Sequence, residues 1–291
     1  MNRKPFSQIL RDAEIDIPKE YDRLIKLFCE KKYFNAAKRT VSLVDLCAEN
    51  FINMPFRGTC ISLSDFDRTY NRRFTSNSNS LYQQNPDAAL DYLIDFCEYS
   101  YNLAINTQTY CFPVCIQDGL PQTNNAMVLY VQQVLSLIEK IGFMPNTGNN
   151  ITDFVPKDQV AIAVAEIIDP FLSYRVLEYN HHSMKGDLQS KKDILLALAN
   201  QLEPQERKLK EINSSFGNCI FGLFNNLNIR HNNIDPDNER NYKPAIAEME
   251  SAELENWYDD TYQLCLLAFL ELENVERKKR ASEFVKRMRC N

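Results

Sequence analysis

Arg230 and His231 stand side by side in the run Asn225-Asn226-Leu227-Asn228-Ile229-Arg230-His231-Asn232-Asn233-Ile234-Asp235-Pro236-Asp237-Asn238. Arginine is a permanent cation that can grip a phosphate through two parallel N–H bonds, and histidine titrates near neutral pH. Asn232 and Asn233 both donate and accept, and Asp235 and Asp237 add carboxylates. This set suits cleavage of RNA through its own 2′-hydroxyl without a metal. Arg230 would hold the scissile phosphate, His231 would act as general acid or base, and Asn232, Asn233 and Asp235 would shape the site. The same residue types also make turns and caps: Asp237 or Asn238 can be structural, and Arg230 can bind the carbonyl end of a preceding helix. Both readings stand at this stage.

His181 and His182, in Glu178-Tyr179-Asn180-His181-His182, are the other two histidines of the chain. They could complete a substrate site with the Arg230 loop if the helices alternate up and down with one crossing connection. Equally, they could be dipole partners at a helix carboxyl end. On a helix, neighbours point about 100° apart, which disfavours joint metal ligation. Arg277, Lys278, Lys279 and Arg280 form a basic patch able to contact an RNA backbone. Pairing of Glu273 with Arg277 and of Glu276 with Arg280 would instead mark a solvated helix face. Cys111 and Cys115 have helical metal-ligand spacing, but Pro113 lies between them and no second pair is near, so ordinary packing is expected. Asp235, Asp237 and Glu239 alternate without the glycine and distal glutamate of a calcium loop. No phosphate-cradling lysine loop, dinucleotide fingerprint, nucleophile elbow or Cys-x-x-Cys pair occurs, and only 7 glycines are present. No metal or cofactor is expected.

The elements that must position these residues read as helices. Asp16-Ile17-Pro18 starts one that runs to about Lys32, and a second is expected from about Asn35 to Phe51. Residues 53–84 read as irregular, with a short helix near Asp65 to Phe74 and a loop at the run Thr75 to Ser80. Asn85-Pro86 opens a helix to about Asn106. The segment Thr107 to Gln122 is the one place where a short extended piece is expected. A helix from Asn125 to Ile141 ends at Gly142, and Pro145, Gly148 and two asparagines then mark a boundary. The expected domains are 1–150, a looser helical region, and 151–291, a helical bundle. In the bundle, Pro156 begins a helix with Val160, Val164, Ile167, Ile168 and Phe171 on one stripe and a kink at Pro170. Asp187 to Leu202 is a second helix, and Pro204 starts a long third through Asn228. Ser251 caps a fourth, and a charged helix runs to about Met288. The fold class is all-α, with no internal repeat.

The 33 Lys+Arg against 39 Asp+Glu give a net charge of −6, so any polyanion site must be local. The nine cysteines are odd in number and mostly set among apolar residues, as buried free thiols of a reducing cytosol would be. No apolar run reaches the about 18 residues a spanning helix needs, so a cytoplasmic protein without a membrane partner is expected.

An arginine followed by a polar residue, in the loop between two long helices of an all-helical second half, resembles the HEPN superfamily. Its members include the carboxy-terminal domains of bacterial abortive-infection proteins. The family motif adds a histidine after roughly four to six positions; Arg230-His231 matches its first half, and Asp235, Pro236 or Asp237 stand where that histidine would fall. The resemblance spans about Pro156 to Arg289. It implies RNA binding or metal-independent RNA cleavage in anti-phage defence, often by a homodimer with facing motifs. A non-enzymatic helical module that binds a protein partner is the alternative expectation.

Overall fold

The computed structural model describes residues 15–31, 33–34, 39–72, 74, 86–110 and 123–289, and over these the protein is predominantly α-helical. The chain forms two compact units, Met1–Phe154 and Val155–Asn291.

In the first unit, helix α1 (Ile17–Cys29) starts where Asp16 accepts the Lys19 N–H at 3.2 Å, with Pro18 in the first turn. The helix expected from Asn35 begins only at Leu43. A short antiparallel pair, β1 (Tyr33–Phe34) and β2 (Thr40–Val41), precedes it. The start of α2 (Leu43–Asn50) is fixed by a reciprocal capping box. Asp45 N–H donates to the Ser42 hydroxyl at 3.1 Å, and Ser42 N–H donates to the Asp45 carboxylate at 2.9 Å. Residues 35–38 lie outside the described residues. Helix α3 (Leu63–Thr69) is the short helix expected near residue 65. Helices α4 (Pro86–Tyr110) and α5 (Thr123–Lys140) follow and pack against each other. Their core joins Phe28, Phe96 and Tyr130, whose rings pack 5.1 to 6.2 Å apart, and the buried Tyr130 hydroxyl donates to Ser100 at 2.7 Å.

Past Gly142, at φ +85°, the expected irregular boundary is a hairpin of β3 (Phe143–Gly148) and β4 (Ile151–Pro156). Asn149 and Asn150, at φ +52° and +64°, are the two left-handed residues that a tight hairpin turn of type I′ requires. Asn102 on α4 grips β4 as a surrogate strand: its amide donates to the Thr152 carbonyl at 2.7 Å and accepts the Thr152 N–H at 2.9 Å. The extended piece expected in 107–122 is helical through Tyr110. Its remainder lies outside the described residues, as do the run 75–80, Cys111 and Cys115.

In the second unit, the helix expected from Pro156 is two: α6 (Gln159–Ala165) and α7 (Pro170–Glu178). Asp169 caps a new start by accepting the Phe171 N–H at 2.8 Å, with Pro170 at the first helical position. Phe171 therefore leaves the expected stripe and is 91% exposed. Helix α8 (Leu188–Leu202) packs along the last helix. The long helix expected from Pro204 is also two, α9 (Glu206–Ile212) and α10 (Ser214–Asn226). They are separated by extended Asn213, which accepts the Phe216 N–H at 3.1 Å. The two cross closely at Gly217, where a Cβ would stand 2.7 Å from Lys210 Cγ and 3.2 Å from its Cα. After α11 (Pro244–Ala247), the two final helices expected are one continuous helix, α12 (Ser251–Arg289). Of the cysteines expected to be buried, Cys47, Cys60, Cys97 and Cys265 are, whereas Cys29 and Cys219 are exposed. No described helix is long and apolar enough to cross a membrane.

Candidate functional site

The polar loop after α10 is held by its own asparagines. Asn228, at φ +55°, ends the helix in the left-handed conformation that asparagine tolerates best after glycine. Asn228 N–H donates to the Asn233 side chain at 2.7 Å and Asn233 N–H donates to the Asn228 side chain at 3.2 Å. The Asn233 amide then donates to the Asn241 carbonyl at 2.7 Å. Arg230 N–H returns to the Phe224 carbonyl at 3.0 Å, satisfying one of the helix end's orphan acceptors. Asn233, expected to face substrate, is 1% exposed and closes the loop instead. Asp235 accepts the Asp237 N–H at 3.0 Å, a local turn. Asn232 and His231 are exposed. The Arg230 guanidinium pairs with Glu203, whose side chain is 54% exposed, so the helix end is met by the arginine backbone and not by its side chain.

A cleft of about 580 Å³ opens elsewhere in the same unit, lined by Tyr179 to His182, Lys191, Glu255, Asp259 and Tyr262 among others. His181 and His182 enter it because the chain is not helical there. His181 is extended, accepts the Ser183 N–H at 3.3 Å to cap a 3-10 turn, and its ring lies 4.2 Å from that of His182. The 100° separation expected on a helix does not apply. No residue of the loop lines this cleft, so the structure does not place these histidines beside Arg230 in one cavity. On α12, Tyr258 is buried in the core while the next residue, Asp259, faces the cleft.

Lys191 organises the cleft. Only 5% exposed, it donates to Glu255 at 2.8 Å and to Asp259 at 2.6 Å. Glu255 also accepts the Gly186 N–H at 2.7 Å, and these bonds hold its carboxyl below the ordinary glutamate value. Tyr179 donates to Asp259 at 2.9 Å and stacks on Tyr262 at 3.9 Å and 4°. Tyr262 donates to the Val176 carbonyl at 2.7 Å, and the Lys191 ammonium lies over the Tyr179 ring, 5.4 Å from its centroid. Burial, with Asp259 beside it, pushes the Tyr179 phenol far above its ordinary range. Sequence reasoning missed Lys191, Glu255, Asp259, Tyr179 and Tyr262. A signal existed: Lys191 sits three, four and seven residues before Ile194, Leu195 and Leu198, on the apolar stripe of α8, and Glu255 and Asp259 stand four apart on α12.

Arg277, Lys278, Lys279 and Arg280 are exposed on α12. Glu273 pairs with Arg277 at 3.3 Å as expected and also with Arg280 at 3.1 Å, while Glu276 is taken by Lys208 at 3.1 Å. Comparison with protein-family models, with curated proteins and with solved structures gave no match.

Proposed function

We propose that the second unit binds RNA by a phosphate at Arg230 and His231, as the HEPN resemblance implies for a defence protein of the abortive-infection type. One observation carries the reading: the asparagine-clamped loop fixes the backbone at Arg230 and leaves His231 exposed beside it. Pre-organisation of this kind lowers the ordering cost of gripping a phosphate. The guanidinium rests on a half-exposed glutamate that the phosphodiester anion of an RNA backbone would have to displace. In cleavage, His231 would take the 2′-hydroxyl proton, the 2′-oxygen would attack phosphorus, and the 5′-oxygen would leave with a proton from water or from His231. Arg230 would stabilise the charge gathered on the phosphate oxygens.

The test is binding and cleavage of labelled single-stranded RNA by the full chain in EDTA. Arg230→Ala is expected to weaken binding about tenfold and to lower the salt slope by about one. His231→Ala is expected to bind and not cleave. Wild-type RNA affinity in Arg230→Ala removes the reading. A second reading, a non-enzymatic module for a protein partner, is favoured by how many loop side chains serve the loop itself: Asn228, Asn233 and Asp235.

A further inference from the structure

Helix α12 spans 39 residues, about 58 Å at 1.5 Å per residue. Its buried positions end at Phe269, and from Glu276 to Arg289 every residue is exposed. Phe284 and Met288 are 60% and 57% exposed, and Val285 is also open to solvent. At about 100° per residue, Phe284, Met288, Ala281 and Val285 fall within an arc of about 100°. Lys278 and Arg289 flank one side of this arc and Arg280 and Arg287 the other, while Arg277, which like Arg280 pairs with Glu273, falls within the arc one turn before Ala281. Residues 277–289 carry seven Lys/Arg against one Glu, Glu283, in a chain whose net charge is −6. Glu283 lies on the far side from the apolar arc.

We propose that this helix end is a docking element for an anionic lipid surface, lying in the interface without crossing it. A narrow apolar face with cations on both flanks lets side chains enter the acyl boundary while the basic heads stay among the headgroups. RNA phosphates would match the cations and leave Phe284 and Met288 without a function. A second copy on the same face would bring seven cations against seven. The described helices are too polar to span, which is a separate property from resting on a surface.

The experiment is co-sedimentation of the full chain with vesicles of phosphatidylcholine alone or with about one-third phosphatidylserine. The protein is expected on the anionic vesicles and not on the neutral ones. Phe284→Ser with Met288→Ser, and separately Arg280→Gln with Arg287→Gln, should each lower the bound fraction about tenfold at constant salt. These positions are all exposed, so folding is preserved. Absence of binding overturns the proposal, as does binding that needs the cations and ignores the apolar pair. It is also overturned if the apolar variant dissociates a dimer, or if the charge variant loses RNA while vesicle binding is unchanged. Arg230→Ala should leave vesicle binding intact, which separates this proposal from the RNA reading.

Discussion

The loop at 228–243 and the cleft around Lys191 lie in the same unit and are both rich in hydrogen-bonding groups, yet they use them differently. In the loop, partners are five to eight residues apart in sequence, and asparagine amides answer nearby backbone groups. In the cleft, partners are 64 to 86 residues apart: Lys191 with Glu255, Lys191 with Asp259, Tyr179 with Asp259, and Tyr262 with Val176. A sequence-dense polar run spends most of its groups on its own shape, leaving His231 and Asn232 open to solvent and Arg230 largely covered and paired with Glu203. A cleft assembled from distant segments depends on the packing of α8 against α12, and its polar groups hold those helices in register.

The sharpest way to break the contrast is Lys191→Met. Loss of one partner from a fully buried ion network costs about 3 to 5 kcal/mol. Because the Asp259 side chain is 47% exposed, about 2 to 3 kcal/mol is expected in urea unfolding. Adding Glu255→Gln and Asp259→Asn should restore much of it, and failure of that recovery would show that packing of the lysine stem dominates. Next, Asn233→Ala should cost about 2 kcal/mol, because it strands the buried Asn228 N–H and the Asn241 carbonyl. Equal stability of Asn233→Ala and wild type would refute the clamp. The acid limb is a smaller effect. Glu255 titrates lower in the folded chain than its ordinary value of 4.5, so its contribution is present above that value and lost as pH falls through the lower folded one. Stability measured against pH should therefore drop below about pH 4.5, less steeply in Glu255→Gln. Smaller again is Arg230→Ala, about 1 kcal/mol because the arginine side chain is largely buried although its partner Glu203 is half-exposed, and smallest is Asn232→Ala, within about 0.5 kcal/mol because Asn232 is open. A fall of several degrees in the melting temperature of Arg230→Ala would recast the arginine as a structural staple.

Much of the fold is legible in short-range chemistry. Asp16 with Pro18, Asp187 before α8, and Gly142 after α5 announce helix ends, because the groups they satisfy lie within one turn. Where periodicity suggested continuity, local caps overruled it: Ser42 with Asp45, Asp169 with Pro170, and Asn213 each begin a new helix inside or after an apolar pattern. The Asn149-Asn150 turn was equally local and its hairpin could have been read. The hold of Asn102 on Thr152, 50 residues away, could not.

The sequence by itself determined the helical class and those helix ends that a cap within one turn announces, such as Asp16 with Pro18 and Asp187 before α8, since these follow from periodicity and capping. The tertiary structure alone decided that Asn233 turns inward and that His181 and His182 line a cleft apart from the loop. It also decided that Lys191 is buried between two carboxylates. The physical reason is range: a cap or a turn is closed by neighbours within about one helical turn, whereas a buried charge finds its partners only when helices distant in sequence have packed.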